Sequence, residues 1–141
     1  MATNWGKTNG CSNLEFSNNT LNAFDFNSGS LNNHLIINSA YDIAIDNLTI
    51  SNNTFNNGTN AIFLYADFNI QYSQGIIIDQ NNFLNQGSGI ILLRAAISPQ
   101  VTNNFITTEK SIYSSAISLL NCKGDCVIEN NHIYGLLEKG I

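Results

Sequence analysis

Two acids have the best claim to chemistry in this chain. Asp79 closes the phrase Ile76-Ile77-Ile78-Asp79 and Glu129 closes Cys126-Val127-Ile128-Glu129, so both stand at the same point of a recurring pattern. If each repeat stacks on the next at the spacing of paired strands, about 4.8 Å, two steps set the carboxyls about 9.6 Å apart. That is the outer edge of the separation used by inverting glycosidases, where one acid protonates the leaving group and the other activates water. Arg94, the single arginine, would supply positive charge from a neighbouring face. Ser17 and Ser51 fill the equivalent position in other repeats, which favours solvent-facing corner residues. Asp79, Glu129 and Arg94 are therefore weak candidates, and no catalytic residue is assigned.

The other reactive side chains point to less. His34 and His132 each follow an Asn-Asn pair and are expected at surface corners. Cys122 and Cys126 bracket Lys123-Gly124-Asp125, a spacing that suits a disulfide-closed loop or two inward thiols, and Cys11 is left over. A metal site needs more ligands than this, so neither a metal nor a cofactor is expected. Sequons at Asn18, Asn47, Asn52 and Asn57 are the chance product of a chain rich in Asn, Ser and Thr.

What must position these residues is the repeat itself. Leu48-Thr49-Ile50-Ser51-Asn52-Asn53-Thr54-Phe55 returns as Leu14–Leu21, Ile76–Phe83 and Cys126–Ile133, with a looser copy at Val101–Phe105. Aligned on Asn19, Asn53, Asn81, Asn103 and Asn131, the intervals are 34, 28, 22 and 28 residues. Each phrase opens with apolar-any-apolar alternation, the mark of a strand with one buried face. A polar corner and a second inward apolar residue follow. Further short strands are expected at Ala61–Leu64, Gly89–Leu92 and Ala116–Leu119, and the five asparagines are expected to stack as a structural ladder. Drifting intervals of this kind suit a solenoid whose loops vary in length. About five to six coils would then make a rod of roughly 25–30 Å. Residues 1–13, with Trp5, read as an irregular N-terminal segment, and 14–141 as the solenoid.

The Ile-x-Asn-Asn-x-Phe corner with the Gly-Ile-x-Leu strand resembles the right-handed parallel β-helix proteins of the pectate-lyase-like superfamily, which includes polysaccharide lyases, polygalacturonases, surface proteins and viral tailspikes. The resemblance implies an all-β, right-handed parallel β-helix. Its hydrolases would be expected to carry Asn-Thr-Asp, Asp-Asp, Gly-His-Gly and Arg-Ile-Lys segments, and none occurs here. Its lyases would be expected to gather several acids around a basic residue, and this chain has one arginine.

Only 11% of residues are charged while 43% are apolar, so Asn, Ser, Thr and Gln must build most of the surface. Such a surface suits a polysaccharide or glycan partner. A net charge of −5 with one Arg and four Lys argues against nucleic acid, and the chain has no apolar run long enough for a membrane span. Strand alternation turns Phe63, Tyr65, Ile77, Ile91 and Leu93 outward, as an apolar stripe for a carbohydrate or partner contact. Tyr113 joins them from an insertion over 107–115 that also carries Glu109 and Lys110 and is available to cover the stripe. Neither end shows a polar cap, so self-association or continuation in a longer chain is expected. The resulting expectation is a non-catalytic, glycan-facing structural module, extracellular, on a cell surface or on a virion. The alternatives are a fragment of a polysaccharide lyase or glycoside hydrolase, and a protein that assembles through its uncapped ends.

Overall fold

The computed structural model describes residues 12–23, 36–38 and 44–139, and among them every regular element is a strand. The chain runs in rounds. The first comprises β1 (Ser12–Ser17), β2 (Thr20–Asn22) and β3 (Ile36–Asn38); the second comprises β4 (Asp46–Ser51), β5 (Thr54–Asn56) and β6 (Ile62–Tyr65). The third has β7 (Ser73–Asp79), β8 (Asn82–Leu84) and β9 (Ile91–Arg94). A short β10 (Ala96–Ile97) precedes β11 (Gln100–Thr102), β12 (Phe105–Ser115) and β13 (Ile117–Leu120), and β14 (Val127–Glu129) with β15 (His132–Lys139) ends the described chain. That makes four full rounds and part of a fifth among the described residues.

Among the described residues all strand pairing is parallel and joins equivalent strands of successive rounds. The first sheet has the order β1-β4-β7-β11-β14 with β10 beside β7; the second is β15-β12-β8-β5-β2 and the third β13-β9-β6-β3. Each visit adds a strand to the same three sheets, an arrangement compatible with a parallel β-solenoid. Among the described residues no helix is long and apolar enough to cross a membrane.

The core lies between the sheets and is built of stacked rows. Phe16, Ile50, Ile78, Val101 and Ile128 form one in the first sheet. Phe55, Phe83 and Ile106 form one in the second, with the two phenyl rings stacked at 4.9 Å and 10°. Ile62, Ile91 and Ile117 form one in the third. All members of the second and third rows are buried, as are Ile50, Ile78 and Val101 of the first, while its ends, Phe16 and Ile128, are partly exposed.

The corner between the first and second sheets shows why Asn comes twice. Asn18, Asn52, Asn103 and Asn130 have φ between 53° and 57°, a left-handed conformation that Asn tolerates better than most residues. The second residue of each pair bonds along the stack; Asn53 and Asn104 are buried, Asn131 is half-buried, and Asn19 at the end of the ladder is exposed. Asn53 Oδ1 accepts from the backbone N–H (2.9 Å) and Nδ2 (3.1 Å) of Asn19. Asn81 Oδ1 does the same for Asn53 (3.0 and 3.1 Å), Asn104 for Asn81 (3.0 and 3.1 Å), and Asn131 for Asn104 (3.0 and 2.9 Å). The remaining amide proton goes to a strand carbonyl of the previous round, as from Asn81 to Ile50 at 2.9 Å and from Asn104 to Ile78 at 3.0 Å.

Three sequence expectations change here. The ladder member is Asn104, with separations of 23 and 27 residues to its neighbours, and Asn103 is the left-handed corner residue. Phe105 had suggested the other alignment, yet Phe105 faces out at 41% exposure and Ile106 takes the inward place. Ile91 and Leu93 are core residues at 0% and 1% exposure, because Ile91 pairs with Ile62 and Leu93 with Leu64. Ile90 occupies the place of Ala61, one step earlier. Thirdly, 107–115 is not a loop free to cover the third sheet. Its backbone belongs to β12, which pairs with β15 through two register shifts in the second sheet.

Candidate binding surface and the acidic column

Register places Ser51, Asp79, Thr102 and Glu129 in one outward column of the first sheet, with Thr102 between the two acids. Asp79 is occupied. Thr102 Oγ1 donates to its Oδ1 at 2.6 Å, Asn103 Nδ2 to the same oxygen at 2.8 Å, and Gln80 Nε2 to Oδ2 at 2.8 Å. Slight burial pushes its pKa up, but the three hydrogen bonds to the ionised form outweigh it and hold the group below the usual aspartate range. A carboxylate held ionised in this way is a poor proton donor. Glu129 is exposed.

Arg94 does not join the acids. It ends β9 in the third sheet, and its guanidinium carbon lies 4.2 Å from the Tyr65 ring centroid and 5.2 Å from that of Phe68. Its Nε is buried without a hydrogen-bond partner. The trio of Asp79, Glu129 and Arg94 is therefore split between two sheets.

The outer face of the third sheet carries two rows, Phe63-Leu92-Ser118 and Tyr65-Arg94-Leu120. The rings of Phe63 and Tyr65 are parallel within 4° at 6.1 Å. Beyond β6 the chain turns through Asp67, whose backbone oxygen accepts from Ile70 N–H and Gln71 N–H at 2.9 Å. Asp67 Oδ1 also accepts from Asn69, through its backbone N–H at 2.9 Å and its side-chain amide at 3.1 Å. This braced turn displays Phe68 and the exposed Ile70, and at its far side Tyr72 lies under Lys123, Nζ 4.0 Å from the ring centroid. The side chains sequence reasoning missed are therefore Phe68, Ile70, Tyr72 and Lys123. The local signal was Asp67-x-Asn69, whose acid can brace a turn, flanked by aromatics.

The expected apolar stripe is thus divided. Phe63 and Tyr65 lie together on the third sheet, whereas Ile77 is on the outer face of the first, between Thr49 and Gln100. The Tyr113 side chain, Trp5, Cys11 and His34 lie outside the described residues. His132 is exposed where β15 begins. Cys122 and Cys126 are free thiols. Burial pushes the Cys122 thiol up, and its Sγ lies 3.8 Å from the backbone oxygens of Leu93 and Leu120. Among the described residues no group of three or more His, Cys, Asp or Glu converges as a metal site. No known protein family, curated protein or solved structure matches the chain.

Proposed function

We propose that the three sheets wind as a right-handed parallel β-helix of the pectate-lyase-like kind. On this reading the chain is a non-catalytic, glycan-facing structural module of an extracellular or virion surface protein. The observation that carries it is the parallel Phe63 and Tyr65 pair on the outer face of the third sheet. Sugar rings present C–H faces that stack on aromatic rings, while neutral polar side chains around them meet hydroxyls. The bonding of Asp79 and the distance of Arg94 from the acidic column favour a structural role for that column.

The test is binding of a panel of neutral and charged oligosaccharides by calorimetry, with Phe63→Ala and Tyr65→Ala as variants. Binding lost in both variants, with unfolding curves close to that of the parent, supports the reading. Absence of any glycan binding removes it. So does polysaccharide cleavage that disappears in Asp79→Asn or Glu129→Gln, which would restore the enzyme alternative.

A further inference from the structure

The turn Asp67–Tyr72 does more than end a strand. Among the described residues Arg94 and Lys123 are the cations whose side chains lie against aromatic rings, and this turn supplies a ring to each: Phe68 to Arg94 and Tyr72 to Lys123. They belong to successive rounds, since Arg94 pairs with Leu120 and Lys123 bridges to Ile97. Among the described residues neither cation forms an ion pair within 4.0 Å, although Asp67 opens the turn that carries Phe68 and Asp125 follows Lys123 closely in sequence. Asp67 is engaged with Asn69 instead, and Asp125 donates its backbone N–H to Ser98 Oγ at 3.2 Å.

A cation held against ring faces loses side-chain freedom before any ligand arrives, which lowers the cost of binding. A guanidinium stacked in this way can donate only in its own plane, toward a planar or tetrahedral oxyanion. We propose that the Asp67–Tyr72 turn, with Arg94 and Lys123, is a binding site for an acidic glycan whose carboxylate or sulfate groups meet the two cations on successive rounds. The exposed Phe68 and Ile70 offer apolar surface to the sugar between them. This deepens the glycan-facing reading and rests on it. A nucleic acid fits less well, because tight binding to phosphates takes many cations and the whole chain carries five against ten acids.

The experiment is calorimetric titration with four probes of matched length: alginate oligosaccharides, sulfated dextran, neutral dextran and a short duplex DNA. One of the first two should bind best, and which one does separates carboxylate from sulfate recognition. Arg94→Gln and Lys123→Gln should each weaken that binding about tenfold, the loss of one charge-assisted contact, while Arg94→Lys retains part of it. Lys123 is exposed, so Lys123→Gln carries the test even if Arg94→Gln unfolds. Dextran binding as well as the acidic probes, or acidic binding unmoved by Lys123→Gln, overturns the two-cation site and leaves the glycan-facing reading in place. Binding of none of the glycans removes both. Preference for the duplex DNA overturns the ligand class.

Discussion

Replacing Asn81 by Ala should be among the most damaging polar substitutions in the described chain. Asn81 is 1% exposed and sits at the middle of the ladder. Its Oδ1 accepts from the backbone N–H and Nδ2 of Asn53 at 3.0 and 3.1 Å, and its own Nδ2 shares its two protons among Asn104 Oδ1 at 3.1 Å and the carbonyl oxygens of Ile50 and Asp79 at 2.9 and 3.0 Å. Truncation orphans the Asn53 N–H in a place water does not reach and removes a donor from the Ile50 carbonyl. A buried orphan costs about 1–3 kcal/mol and a lost neutral hydrogen bond about 1 kcal/mol. The sum is about 3 kcal/mol, or about 150-fold in the folding equilibrium. The comparison is Asn103→Gly, at the neighbouring residue type but outside the ladder. Asn103 gives up one bond to Asp79 at 2.8 Å, and Gly accepts its φ of 53° without penalty, so the cost should stay below about 1 kcal/mol. Equilibrium urea unfolding of both variants reads the difference. Equal costs, or Asn81→Ala within about 1 kcal/mol of the parent, would refute the assignment of the ladder to buried hydrogen bonds.

Further expectations follow from the same register. Phe83→Ala, which removes a fully buried ring stacked on Phe55, should cost about 4 kcal/mol, whereas Phe105→Ala at an exposed site should cost under about 1 kcal/mol, both by urea unfolding. Because the folded pKa of Asp79 is depressed, its contribution to stability is present above the ordinary aspartate pKa of about 3.9 and is lost as pH falls through the folded value. Asp79→Asn should therefore flatten that part of the acid limb in a stability-against-pH series. An aromatic disulfide reagent should modify the exposed Cys126 before the half-buried Cys122, and Cys126→Ser should remove the faster of these two phases.

The period of the chain was legible because stacking places like on like. A buried amide that must satisfy its counterpart in the next round leaves Asn at the corner each time, and the apolar-any-apolar phrase before it marks which face is buried. The corner between the first and second sheets was therefore readable from residues alone. The phase within two copies was not. At Asn103-Asn104-Phe105 both residues of the corner are the same type, and the outward Phe105 imitates the inward phenylalanines of earlier rounds. At Ile90-Ile91-Leu92-Leu93 every residue is apolar, so no polar mark says which alternate faces the core.

A strand has a side-chain period of two, so a slip of one residue exchanges inside for outside. Only pairing with the rounds on either side decides between the two phases. The backbone of β9 is fixed against β6 by Ile91 on Ile62, and that alone sets Leu92 over Phe63 and Arg94 over Tyr65. The sequence by itself determined the repeat, the parallel stacking it implies and the chemistry of the corner, because those are properties of each phrase. The outward neighbours of Arg94 and Lys123, and the separation of Arg94 from Asp79, were decided by the tertiary structure, because they depend on loop lengths that carry no side-chain pattern.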